Sequence, residues 1–234
     1  MIYAVSDLHG YPFDKFKALL DSIGFSDEDF LYILGDTVDR GSDGIKYIRY
    51  IRTRRNMKLI MGNHEDMMLG CEFLFDVVTD DNIDMLTTEK LERHLHWTMN
   101  GGTPTIDALR GVRESELKHI FSYIRRLPLY ARVSAGGRDF ILCHSGLGNF
   151  SPDKPLEEYT RHELLWTRPE LSDRFFEDGT ITVFGHTPTM SYSDEYKGKP
   201  IFTDTWINID AGAAYGEKPA ILRLDDLKVF YPED

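Results

Sequence analysis

A chain of 234 residues with 41% hydrophobic and 28% charged content is large enough for one sizeable domain and marginal for two. Its formal net charge of −12 speaks against a duplex nucleic-acid binder, which carries a basic face, and leaves small substrates, metal ions and proteins as partners. The only cysteines, Cys71 and Cys143, offer neither a disulfide framework nor a zinc spacing, so a reducing cytoplasm is the expected location.

The opening "MIYAVSDLHG" has no basic stretch and no long apolar run, so no secretion signal is expected. No apolar run reaches the roughly 18 residues that suggest a membrane span. Ile2–Val5 reads as a short buried strand. Phe13–Ile23 follows at helical period, with Phe13, Phe16, Leu19, Leu20 and Ile23 on one face. Phe30–Leu34 is the next strand, Ile45–Ile51 the next helix and Lys58–Met61 a third strand.

Residues 64–126 read as mainly helical, with Thr103 and Pro104 as an N-cap and first helical position. No Pro/Gly/Ser linker sets this stretch apart. It is expected to be an insertion within one domain spanning residues 1–234. Inside it, Asp80–Asp84 ("DDNID") lacks the Gly and Glu that a calcium loop needs at its sixth and twelfth positions, and reads as a solvated acidic segment. Strands then resume at Phe140–Cys143, Ile181–Phe184, Trp206–Ile209, Ala220–Leu224 and Val229–Tyr231. Strand–helix alternation early and clustered strands late predict a layered α/β or α+β architecture.

Polar groups follow five of these strands in order. The first ends in Asp7 and His9 ("SDLHG"), the second in Asp36, Asp39 and Arg40 ("GDTVDRG"), and the third in Asn63, His64 and Glu65 ("GNHE"). His144 ("HSG") and His186 ("GHT") close the series. A lone Asp after a strand is usually a turn residue, and a lone His is usually structural. Five such ends delivering metal-type ligands in sequence are a different matter, because ligands in open sheets gather outside the carboxyl ends of strands. Gly10, Gly35, Gly41, Gly62, Gly146 and Gly185 flank these groups and permit close backbone approach. Carboxylate, imidazole and a single amide suit manganese, iron or zinc. Two metals about 3.5–4 Å apart can share a water and clamp an in-line displacement. Arg40 offers a planar fork matched to phosphate oxygens.

These motifs resemble those of calcineurin-like metallophosphoesterases, over residues 3 to about 215. Within that family they are similar to the phosphoprotein phosphatase branch, especially compact bacterial and phage serine/threonine phosphatases. The resemblance implies a four-layer sandwich of two β-sheets flanked by helices, with two divalent metals at the strand ends, manganese first, or iron or zinc. By the resemblance, Asp7, His9 and Asp36 would bind one metal, and Asp36 would bridge to a second completed by Asn63, His144 and His186. His64 would be the acid that protonates the leaving oxygen, oriented by Asp39. Arg40 and Asn63 would hold phosphate. Trp166-Thr167-Arg168 resembles the segment that supplies a second phosphate-binding arginine, Arg168. The implied reaction is hydrolysis of phosphoserine or phosphothreonine, in a phosphoprotein or small phosphorylated substrate, by in-line attack of a metal-bridging hydroxide. No nucleic acid or membrane partner is expected, and the protein is expected to be a monomer.

Other groups read as structural. Cys143 lies in an apolar strand with no Cys-phosphatase loop around it. His94, His96, His119 and His162 match no motif. Glu65 suits either a hydrogen bond within the site or an N-terminal helix position. Trp97, Asn100, Gly101 and Gly102 ("WTMNGG") suit a cleft wall or a helix C-cap, and Asp210 ("NIDAG") suits a supporting place behind the ligands. A symmetrical diadenosine tetraphosphate hydrolase, or another nucleotide phosphoesterase, is the alternative activity. The resemblance gives that hydrolase a non-acidic residue where this chain has Asp39, so the complete "VDRG" favours the phosphatase. A binding module that has lost catalysis would not need the full ligand set together with His64.

Overall fold

A computed structural model describes residues 1–76 and 87–233. The Asp80–Asp84 segment lies outside the described residues. Strands β1 (Ile2–Val5), β2 (Phe30–Ile33) and β3 (Met57–Leu59) alternate with helices α1 (Phe13–Ser22) and α2 (Gly44–Ile51). Helices α3 (Asn63–Gly70), α4 (Thr88–Met99), α5 (Thr103–Arg110) and α6 (Glu114–Arg125) follow. Next come β4 (Tyr130–Ala135), β5 (Arg138–Cys143), α7 (Arg161–Leu165) and β6 (Ile181–Phe184). The remaining strands are β7 (Ile201–Phe202), β8 (Trp206–Asn208), β9 (Ile221–Arg223) and β10 (Lys228–Phe230).

The strands form two mixed sheets, ordered β10-β9-β1-β2-β3 and β4-β5-β6-β8-β7. The first has parallel strands β1-β2-β3 running to one edge and antiparallel β9 and β10 at the other, and the second has a parallel centre, β5-β6-β8, between antiparallel β4 and β7. Parallel strands need both faces covered, and alternation along each strand supplies two apolar faces. In β1, Tyr3 and Val5 pack with Leu31, Ile33, Phe16, Leu19 and Tyr47 against α1 and α2. Ala4 points the other way, into a cluster with Leu142, Val183, Ile207 and Leu222 that lies between the sheets. The outer face of the second sheet carries Ile141, Cys143, Phe184 and Trp206 against Leu156, Tyr159, Leu164 and Phe175. These clusters give the expected four layers, two sheets face to face with helices and loops packed on their outer sides.

Helices α3 to α6 build a further core of Met67, Met68, Trp97, Ile106, Leu109, Ile120, Phe121 and Ile124. That core is continuous with Val38 and Ile48, so the inserted helices pack beside the loop after β2. Two sequence expectations shift. Helix α5 is capped at Gly102, with Thr103 first and Pro104 second, one position from the expected pattern. Strands β4 and β7 carry no clear signal in the sequence. In β4 the buried side chains are small, Ala131, Val133 and Ala135, which weakens the alternation signal. No helix among the described residues is long and apolar enough to cross a membrane.

Candidate metal and phosphate site

Parallel strands β1, β2, β3, β5 and β6 bring their carboxyl ends together, and each of the five polar groups lies on the loop or helix that follows. The Asp7 amide bonds to Gly35 O at 3.2 Å and the His9 amide to Asp36 O at 2.8 Å, so the first two loops are tied edge to edge. Asp7, His9, Asp36, Asn63, His144 and His186 are all buried there. Such burial of carboxylates is costly unless something compensates.

The ring hydrogen bonds show what could compensate. His144 Nδ1 lies 2.7 Å from Leu34 O, a group that can only accept, so Nδ1 carries the proton of the neutral ring. Its Nε2 lone pair then faces Asn63 Oδ1 at 2.8 Å, His186 Nδ1 at 3.2 Å and Asp36 Oδ2 at 3.5 Å. Asn63 Oδ1 also lies 2.9 Å from His186 Nδ1. His144 Nε2 and Asn63 Oδ1 present lone pairs to the same point, which either the His186 ring proton or a cation can hold together. The second donor set repeats the pattern. His9 Nδ1 bonds to Val38 O at 3.1 Å, and its Nε2 faces Asp36 Oδ2 at 3.5 Å and Asp7 Oδ1 at 3.9 Å. The donor atoms that converge form two groups, His9 with Asp36 and His64 and Asp36 with His144 and His186, and one carboxylate shared between two groups is what a dinuclear centre requires.

The electrostatics agree. Burial, then the charges of His64 and Arg40, pushes the His9 imidazole well below its usual range. Burial and His144 do the same to His186. Both rings are therefore neutral and able to donate a lone pair. Burial also holds the Asp36 carboxyl well above its usual range, with Asp7 and Glu65 adding repulsion. A divalent ion removes that penalty by supplying the largest local charge. The donors contain no thiolate. Burial pushes the Cys143 thiol up to about 12, and its Sγ–H donates to Gly146 O at 3.4 Å, so it is neither nucleophile nor ligand.

His64 stands at the edge of this cluster. Its Nδ1 lies 2.6 Å from Asp39 Oδ2, both side chains being buried, and its Nε2 lies 3.8 Å from Asp36 Oδ2. Burial works against the imidazolium, but the Asp36 and Asp39 carboxylates outweigh it and raise the His64 pKa. Arg40, exposed beside these buried groups, has its guanidinium 5.3 Å from the centre of the Tyr215 ring. Arg168 donates to Thr187 Oγ1 at 3.3 Å and to His186 O at 3.5 Å, which places it on the lip next to His186. Trp166 stands between His186 and His96, with ring centres 6.0 and 5.8 Å away. Beyond it lies a cavity of about 560 Å³ lined also by Asp66, Met67, Arg93 and Arg161.

Glu65 serves both purposes its sequence position allowed. Its carboxylate accepts from the Asp36 and Thr37 amides, each at 2.8 Å, from Thr37 Oγ1 at 2.8 Å and from the Gly62 amide at 3.1 Å. It caps α3 and pins the turn that carries Asp36. A Cβ at Gly62 would collide with Asp36 Oδ1, so the chain passes this ligand only as glycine. Asp210 is buried behind Asp7, where burial and the Asp7 charge hold its carboxyl well above the usual range. Trp97 is buried under the site, and its Nε1–H donates to Asp39 Oδ2 at 2.8 Å. Sequence spacing does not reveal that contact, because 58 residues separate the partners. Backbone strain marks the same place. Eight non-glycine described residues have positive φ, and six of them are Asp7, His9, Asp36, Asp39, Arg40 and His186.

Two donor groups share one aspartate at the ends of parallel strands, beside exposed arginines suited to an anion. The family profile of calcineurin-like phosphoesterases matches residues 1–215, and the chain belongs to that family, whose members use a dinuclear metal centre. A symmetrical bis(5'-nucleosyl)-tetraphosphatase of Acidovorax sp. (strain JS42) is 28% identical over 204 residues. That match takes in 84% of this chain, which spans 60% of the length of that relative. Serine/threonine-protein phosphatase 1 of Salmonella typhimurium is 25% identical over 238 residues, covering 95% of this chain and 91% of its own. Among solved structures, one assigned provisionally as a diadenosine tetraphosphatase superposes with a TM-score of 0.66 at 16% identity. It covers 98% of this chain and 91% of that one. A Saccharomyces cerevisiae protein serine/threonine phosphatase with similarity to human PP5 gives 0.56 at 17% identity, over 94% and 71%. At such identities these structures speak for the fold alone.

Proposed function

We propose that this chain is a manganese-dependent phosphomonoesterase that removes phosphate from phosphoserine or phosphothreonine in proteins, and that Asp7, His9, Asp36, Asn63, His144 and His186 hold its two ions. The observation that carries this reading is the buried 2.6 Å contact between His64 Nδ1 and Asp39 Oδ2. Serine and threonine oxygens are poor leaving groups and gain most from a positioned acid, worth roughly 10²–10⁴-fold. Asp39 keeps the proton of Nδ1 in place, leaving Nε2–H directed at the cluster where the ester oxygen departs. Arg40 and Arg168 stand on the rim, where their forks can take the non-reacting phosphate oxygens and orient the ester. The metals, when bound, supply an activated water and polarise the phosphoryl group. Oxygen and imidazole donors without thiolate suit manganese, iron or zinc, and manganese is the ion taken for the assay. Near-complete mutual coverage with the Salmonella phosphatase supports the same reading. Two buried free thiols suit the cytoplasm.

The Acidovorax relative favours a second reading, symmetrical cleavage of diadenosine tetraphosphate. Metal-stripped protein assayed with and without manganese, on a phosphothreonine peptide and on the dinucleotide, separates the two. We expect manganese-dependent release of phosphate from the peptide and little turnover of the dinucleotide. The opposite preference would replace the first reading by the second.

A further inference from the structure

We infer that Trp97 is a positioning residue for the proton donor, and that the inserted helices hold Asp39 and Arg40 in their working posture. This rests on the reading of His64 and Asp39 as an acid pair. The Asp39 side chain is buried, and its Oδ2 receives two N–H groups at once, from His64 at 2.6 Å and from Trp97 at 2.8 Å. Its other oxygen, Oδ1, has no hydrogen-bond partner among the described residues. No Oδ1 bond opposes tilting of the carboxylate, and the indole N–H, bound to the same oxygen as His64, holds the carboxylate plane towards the imidazole.

Two more contacts come from the same insertion. The Asp39 amide donates to Thr105 Oγ1 at 2.9 Å, and the Arg40 amide donates to Gly101 O at 2.9 Å. Asp39 and Arg40 are consecutive non-glycine residues at φ 70° and 64°, a posture that persists only when its surroundings over-determine it. Trp97, Gly101 and Thr105 provide that determination, one from α4, one from the following turn and one from α5. The indole fits tightly, for a Cβ at Gly102 would come within 2.7 Å of its Nε1. None of these contacts touches Asp7, His9, Asn63, His144 or His186. Loss of the indole N–H should therefore disturb proton donation and spare metal binding.

Trp97→Phe tests this by removing the N–H and keeping an aromatic ring. It is measured beside the parent, His64→Asn, Asp39→Asn and the Trp97→Phe/Asp39→Asn double variant, all loaded with manganese and checked for metal content. The substrates are a phosphothreonine peptide and 4-nitrophenyl phosphate, whose good leaving group needs little acid assistance. We expect Trp97→Phe to lower kcat on the peptide about tenfold, a part of what a whole general acid contributes. On the aryl phosphate the loss should be under about threefold, with KM and metal content unchanged. In the Asp39→Asn background the same substitution should cost nothing further. An equal loss on both substrates, no loss on either, or multiplicative losses in the double variant would overturn the inference. If His64→Asn loses equally on both substrates, the acid assignment itself fails and the inference falls with it. Should Trp97→Phe not fold, Thr105→Val carries the test, with the same dependence on leaving group expected.

Discussion

Glu65 shows how much one buried side chain can organise. Its two oxygens accept from three backbone amides and one hydroxyl, which join the β2 turn to the start of α3. Glutamine is nearly isosteric but would aim an NH2 at amides that themselves donate. We expect Glu65→Gln to cost about 1–3 kcal/mol in a urea melt, the range for a buried group left unsatisfied. A midpoint equal to the parent's would show that the carboxylate does not hold the turn. The neighbouring motif residues could be singled out in the sequence because each sits in a short apolar-then-glycine context. Glu65 had two readings there, because a helix-start glutamate and a site glutamate are written alike. Trp97 and Thr105 could not be placed, since their bonds to Asp39 cross 58 and 66 residues.

At the scale of elements, the segment leading to Arg168 depends on α7. Thr160 caps this short helix, and the Glu163 carboxylate accepts from the Thr160 amide and hydroxyl and from Asn149 and Lys154. Those bonds, the one from Lys154 foremost, hold the Glu163 carboxyl down to about 2. A carboxyl depressed on folding adds stability that is fully present above its unfolded value, about 4.5, and is lost as pH falls through the folded value. We expect Glu163→Gln to melt below the parent near neutral pH, with the gap narrowing as pH drops from 4.5 towards 2. A gap independent of pH would rule out the ionised form as the source. Strands β1, β2, β6 and β8 lie close to their expected bounds because their runs are apolar and branched. Helix α7, five residues long, and β7, two residues long, are too short to carry a period. The role of the inserted helices was equally out of reach, for the amphipathic face that reveals a helix says nothing of what its other residues touch.

For the molecule as a whole, the donor cluster joins stability to metal. Neutral rings and carboxylates facing one another oppose folding until cations bind, and ions that bind only the folded chain stabilise it by mass action. We expect chelator-treated protein to melt at a lower temperature than protein in excess manganese. The difference per site should be about 2.7 kcal/mol at a hundred times the dissociation constant. Identical melting curves would mean that the cluster holds no ion. The net charge of −12 works in the same direction, because each bound ion offsets part of the chain's self-repulsion.

The left-handed posture of Arg40 sets heat resistance against catalysis. Glycine at this position would relieve backbone strain of about 1 kcal/mol, and its amide could still reach Gly101. We expect Arg40→Gly to melt higher than the parent and to show a raised KM for every phosphate ester, whatever its leaving group. A lower melting temperature would mean that the guanidinium's contact with Tyr215 outweighs the strain. On the phosphate-binding role proposed for Arg40, a library selected only for survival on heating would accumulate glycine here and trade that grip for a sturdier fold.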